Sequence, residues 1–179
     1  MKIRKNDIFL YGRKMLFQML EILYPRRCAV CDEIEVTGKG ICPLCKDKVH
    51  VAGEPACKKC GKPLVDERKE FCTDCGKKHH VYTQGKAVFV YEGGIRNSMY
   101  RFKYGNKREY AEFYANAALE KYGVWLNKIK AEVLIPIPMY SRKKRLRGYN
   151  QAEVFARELG RKAGILVDEH LVRRVRNKI

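Results

Sequence analysis

The sequence has no apolar run approaching the ~20 residues needed to cross a bilayer. A secretory leader is not expected either. The opening MKIRKNDIFLYGRKMLFQMLEILYP imitates one, with Lys2, Arg4 and Lys5 ahead of apolar residues. However, Arg13, Lys14, Gln18 and Glu21 interrupt the apolar part and no small-residue cleavage site follows. A cytoplasmic chain is expected. The same segment repeats Phe9, Leu16, Leu20 and Leu23 at helical spacing, widened by Ile8, Met19 and Ile22. This predicts an amphipathic helix over 1–25, ending before Pro25 and packing on the protein's own core in preference to a membrane surface.

Both common nucleotide loops are missing, since there is no GxxxxGK(S/T) and no GxGxxG after a strand. Acidic residues are scarce, with 20 Asp and Glu against 38 Lys and Arg for a formal charge of +18. Such an excess points to a polyanionic partner. Eight thiolates on two zinc ions would bring the total nearer about +14, still strongly basic. The excess is uneven: residues 1–83 hold 17 Lys and Arg against 11 Asp and Glu, whereas residues 84–179 hold 21 against 9. The anion partner therefore belongs to the second half. A length of 179 residues suits a small module followed by part of a larger one.

Cysteine is absent outside residues 28–75, and within them it falls in four CxxC pairs: CAVC at 28–31, CPLC at 42–45, CKKC at 57–60 and CTDC at 72–75. A CxxC turn holds two thiolates on one side of a tight loop, and two such turns complete a tetrahedral site. The apolar residues of 28–80 are too few for an independent core, so the segment needs a staple. Two structural zinc ions supply it in preference to disulfides, redox pairs or an iron-sulfur cluster. The expected ligands are Cys28, Cys31, Cys42, Cys45, Cys57, Cys60, Cys72 and Cys75. Sequential pairing gives two consecutive ribbons, each closed by its own hairpin-length interval, and a cross-braced pairing is the alternative. Four ligands per metal leave no position for water, which makes the sites structural. His79 and His80 are surplus to them and read as solvated linker residues.

After a polar linker near 76–84 the pattern predicts β, α, α, β, α, β. KAVFVY at 86–91 reads as a strand and GG at 93–94 as its turn. IRNSMYRFKY reads as a short helix ending near Gly105, followed by a helix over 109–122 that buries Tyr110, Phe113, Ala117 and Tyr114 or Ala118. EVLIPIP at 132–138 suits a buried parallel strand ended by Pro136 and Pro138. Asn150 is the expected N-cap of a helix with Glu153 at capping-box spacing. Its buried stripe is Ala152, Phe155, Ala156, Leu159 and Ala163, its end Gly164, and ILV at 165–167 a last short strand. Ligands of open α/β sheets bind at the carboxyl ends of such strands, which would put MYSRKKRLRGYNQ at the mouth of a site.

RKKRLR places five cations in six positions. It reads as a solvated face, or as a turn near Gly148 whose backbone amides approach a phosphate. Asp168 and Glu169 read as turn residues.

Taken together, the leading helix, the paired zinc knuckles, VYEGGIRNSMYRFKYGNK and LIPIPMYSRKKRLRGYNQAEVFARELG resemble the ComF family of late-competence proteins. The resemblance implies a double zinc ribbon over 26–80, then the N-terminal part of an α/β type I phosphoribosyltransferase-like domain over 81–179. It also implies a role in DNA uptake during natural transformation, with single-stranded DNA or another polyanion, or competence-machinery proteins, as partners. Arg147, Gly148, Tyr149, Asn150 and Gln151 match the family's RGFNQ signature, Tyr149 replacing Phe. Arg142, Lys143, Lys144 and Arg145 would supply positive potential for phosphate or nucleic acid. The family's later acidic, threonine- and glycine-rich loop, roughly DDxxTTG, has no counterpart in this sequence. The chain is therefore expected to be a truncated or split member without catalysis. Phosphoribosyl pyrophosphate and magnesium enter only if a continuation or second chain completes the domain.

Overall fold

A computed structural model describes Met19 and residues 23–175. The expected N-terminal helix lies outside the described residues except for Met19 and residues 23–25. The eight cysteines organise the first part of the described chain into two copies of one unit. In each copy a residue before the first cysteine pairs with one three past the second, Arg27 with Ile34 and Ala56 with Pro63. The later CxxC then opens a short helix, α1 (Pro43–Lys46) or α2 (Thr73–Lys77). The chain reverses tightly after each leading CxxC, and the residue there takes a left-handed backbone: Asp32 at φ 70° in the first copy and Gly61 at φ 75° in the second.

That equivalent position is used differently in the two copies. A side chain on Gly61 would meet the backbone nitrogen of Ala87 at 2.7 Å, so only glycine fits. Asp32 projects its carboxylate instead, accepting from the Tyr110 hydroxyl at 2.7 Å and from Lys107 at 2.8 Å.

Residues 86–91 do not form the expected strand. They make a single antiparallel bridge, Val51 with Phe89, supported by Ala52 N–H to Val88 O and Val90 N–H to His50 O, each at 2.9 Å. The physical reason is the partner: only a short stretch of the ribbon runs alongside, too little for a ladder. The rest is mostly helical. α3 (Gly93–Tyr104) and α4 (Tyr110–Ile129) precede β1 (Val133–Leu134), and α5 (Ser141–Arg147), α6 (Gln151–Ala163) and β2 (Leu166–Val167) come after it. α4 continues seven residues past its expected end, because Gly123 does not stop it and left-handed Lys130 does. β1 and β2 are parallel, Val133 opposite Leu166 and Leu134 opposite Val167, and are the only named strands among the described residues. Pro136 and Pro138 come just after β1, as their missing N–H groups predict.

The core joins the first ribbon to the helices. Ala29, between Cys28 and Cys31, is buried with Ile95 and Phe102 of α3, Tyr110, Phe113 and Tyr114 of α4, and Tyr149. A second cluster places Ala115 and Ala118 of α4 against Leu159 of α6, with Leu134 and Phe155 alongside. Gly160 permits α6 to meet β2, since a Cβ there would lie 2.5 Å from Val167 Cγ2. The segment 132–138 is not the expected buried strand: β1 is two residues long, Val133, Ile135 and Ile137 are exposed, and so is Leu166 of β2, because only β2 runs alongside.

Candidate metal centres and basic surface

The sulfurs of Cys28, Cys31, Cys42 and Cys45 lie within 4.8 Å of one another, and so do those of Cys57, Cys60, Cys72 and Cys75. The grouping is sequential, one site per repeat. Cys31 Sγ and Cys42 Sγ are 3.8 Å apart, as are Cys60 Sγ and Cys72 Sγ. A zinc ion with four sulfurs at about 2.3 Å in a tetrahedron places them about 3.8 Å from each other, whereas a disulfide would bring two to about 2.05 Å. The donor set and its spacing are thus compatible with two structural zinc ions.

Local electrostatics favour the same ion. Burial would raise the Cys28 thiol, but backbone N–H groups from Cys31, Cys42 and Val30 converge on it and lower it to about 7. At Cys57 burial is likewise overridden by the N–H groups of Cys60, Cys72 and Lys59, giving about 6. Burial and the neighbouring Cys31 and Cys42 sulfurs push Cys45 up to about 12. Thiolates gathered this closely repel one another, and a divalent cation among them offsets that repulsion. His79 and His80 belong to neither group, and His80 stacks on Tyr82 with centroids 5.1 Å apart.

Glu35 organises the loop between the first two CxxC turns. It is 3% exposed, and its carboxylate accepts from the Thr37 N–H at 2.5 Å, the Thr37 hydroxyl and the Gly40 N–H at 3.1 Å. Burial alone would raise its pKa, and these donors hold it below the ordinary range. Glu35→Ala leaves those donors unpaired and is expected to destabilise the zinc-loaded chain by about 2 kcal/mol. A thermal melt beside the parent protein measures this, and an unchanged melting temperature would contradict it.

The basic segment is a helix and not a turn. α5 exposes Arg142, Lys143, Lys144 and Arg145, and Gly148 ends it in a left-handed conformation at φ 82°. Lys144 pairs with Glu153 at 2.6 Å. Among the described residues Arg142, Lys143 and Arg145 make no ion pair, while α6 spends its carboxylates on Lys144, Arg161 and Lys162. Arg147 donates to the Gln151 side chain at 2.7 Å and lies over the Tyr104 ring.

Past Gly148 the chain turns inward. Tyr149 is 4% exposed and its hydroxyl donates to the Phe102 carbonyl. Asn150 caps α6 by accepting from the Ala152 N–H at 3.0 Å while donating to Ile137 O. The Asn150 side chain also donates to Glu153 at 3.3 Å, so Glu153 braces the capping side chain and does not reach back to the Asn150 backbone N–H as a capping box would. Gln151, 9% exposed, donates to Lys103 O. Arg142 to Arg145 face solvent while Tyr149 to Gln151 join α3, the segment after β1 and α6.

Sequence reasoning missed Asp32 and Arg108. Aligning the two CxxC repeats would have exposed Asp32 as the counterpart of Gly61. Arg108, whose guanidinium carbon lies 4.9 Å from the Tyr149 ring centroid, left no sequence signal because the contact spans 41 positions. Asp168 accepts from the His170 and Leu171 N–H groups, and Glu169 pairs with Arg157; both acids serve the turn after β2.

No helix among the described residues is long and apolar enough to cross a membrane. No curated protein and no solved structure matches the chain. Residues 19–76, which enclose all eight cysteines, match the family described as Double zinc ribbon domain, and over that stretch the chain is a double zinc ribbon.

Proposed function

We propose that the chain is a ComF-type binding protein, stapled by two structural zinc ions, that holds single-stranded DNA on its basic second half during DNA uptake. The observation that carries the reading is α5, where Arg142, Lys143 and Arg145 stand exposed on an ordered helix without carboxylate partners among the described residues. A phosphate backbone satisfies such a row by releasing its counterions. The Double zinc ribbon match, the parallel β1–β2 pair and the helix-rich connection between them support the ComF resemblance. The phosphoribosyltransferase-like domain and the competence role belong to this proposal.

Residues 1–179 alone are not expected to transfer phosphoribosyl groups. Magnesium and phosphoribosyl pyrophosphate need free acidic groups beside a threonine- and glycine-rich loop, whereas Asp168 and Glu169 are engaged in a turn and an ion pair. Magnesium-dependent binding of phosphoribosyl pyrophosphate by the chain would overturn this part of the proposal.

Fluorescence anisotropy with a labelled 20-nucleotide oligo-dT across a salt series tests the binding itself. Affinity should fall steeply, by roughly 0.7 in log–log slope for each phosphate neutralised. Replacing Arg142, Lys143 and Arg145 together by Gln should flatten that slope by about 2. Affinity indifferent to salt would overturn the reading.

A further inference from the structure

The eleven tyrosines divide into groups with different surroundings. Tyr110, Tyr114 and Tyr149 are buried and their hydroxyls bond to Asp32, Ser98 and the Phe102 carbonyl. Tyr91, Tyr100 and Tyr104 are 62%, 64% and 61% exposed, and their hydroxyls make no hydrogen bond among the described residues. Core packing accounts for the first group and not for the second.

The exposed group is ordered by helix geometry. On α3 the buried stripe is Ile95, Ser98 and Phe102. Tyr100 and Tyr104 are four apart and share another face, with ring centroids 5.0 Å apart at an interplanar angle of 46°. Cations lie beside these exposed rings. Lys103 Nζ lies 5.9 Å from the Tyr91 centroid, and Arg147 Cζ lies 4.6 Å from that of Tyr104. Arg147 is also the last residue of α5, so the surface continues into the cations of that helix.

We propose that Tyr100 and Tyr104 form a base-stacking platform for single-stranded nucleic acid, with Lys103 and Arg147 holding the flanking phosphates. The proposal rests on the DNA-binding reading above and extends it from the phosphate backbone to the bases. Exposed aromatic rings interleaved with cations fit a strand whose bases are unpaired, because every base offers a π-face while its phosphates meet the positive charge. Duplex bases are already stacked on one another and cannot use the platform. An acidic protein surface would satisfy the cations and leave the exposed rings without a flat partner.

The test compares the zinc-loaded 179-residue chain with Y100A/Y104A and Y100F/Y104F, using labelled oligo-dT and an abasic strand of equal length. Stacking is worth roughly fivefold or more in affinity per base. The Ala variant should therefore bind oligo-dT at least tenfold more weakly with an unchanged salt slope, and the Phe variant should remain within about twofold of the parent. Parent and Ala variant should bind the abasic strand alike. Both tyrosines are exposed, so the zinc content and melting temperature of the variants should match the parent.

Oligo-dT binding unchanged in Y100A/Y104A would overturn the platform and leave the α5 reading standing. An equal loss on the abasic strand would also overturn it, by showing that the rings do not meet bases. If the parent chain binds no oligo-dT at any salt, both proposals fail. Binding of oligo-dT that is abolished by the α5 charge substitutions yet indifferent to Tyr100 and Tyr104 would confine the interaction to phosphates.

Discussion

Cys28→Ser is expected to remove one of two zinc ions and to melt much of the helical half with the first ribbon, whereas Cys57→Ser removes one zinc and leaves the helices folded. Structural zinc contributes on the order of 10 kcal/mol to folding of a site that the unfolded chain lacks, so either loss exceeds what a small ribbon can supply. The asymmetry comes from what each turn supports. The Cys28–Cys31 turn inserts Ala29 between α3 and α4, its Val30 carbonyl accepts from Arg101, and Asp32 binds Tyr110 and Lys107. When that turn dissolves, Arg101 and Tyr110 lose partners in a part-buried setting. The second ribbon meets the linker instead, through Gly85 N–H to Lys59 O and Gln84 to Lys58 O. Metal per chain by elemental analysis, together with the helical circular dichroism signal, reads both effects. Equal loss of helix in the two variants would show that the second ribbon supports the helices as strongly as the first.

Tyr149→Ala is expected to destabilise the fold by about 3–5 kcal/mol, the range for removing a buried aromatic side chain. Tyr149→Phe should cost about 1 kcal/mol, the net worth of its hydrogen bond. The ring lies 6.1 Å from that of Phe102, packs under Arg108, and bonds through its hydroxyl to the end of α3. It therefore ties the segment between α5 and α6 to α3, and sets where Arg147 meets Tyr104. Denaturant unfolding gives the stability change, and anisotropy measured where the variant is still folded gives binding. A Tyr149→Ala protein as stable as the parent that no longer held oligo-dT would make Tyr149 a contact residue and contradict its structural assignment.

The two predictions draw on information of different range. The four-sulfur sites were legible because metal ligation by CxxC is a local matter: two sulfurs per turn, with ten or eleven residues between turns, leave sequential closure as the short path. α6 was legible for the same reason, since Asn150, the apolar spacing of Ala156 and Leu159, and Gly164 all act within one helix. The segment 86–91 was misread because a strand requires a neighbour. Its β-branched and aromatic residues meet residues 50–52 for one bridge and then turn into α3.

The basic signature divides in the same way. Its charge was visible in RKKRLR, but nothing local indicated that Tyr149, Asn150 and Gln151 point into the protein, because their partners Phe102, Ile137 and Lys103 lie 13 to 48 positions away. Tyr100 and Tyr104 escaped notice because helical spacing marks which residues share a face and not which face meets solvent. Composition and spacing were sufficient for two four-sulfur sites and a cationic second half, both being properties of neighbouring residues. Long-range packing was needed to place the first ribbon inside the helical core and to sort exposed tyrosines from buried ones, because burial depends on what the distant chain brings alongside.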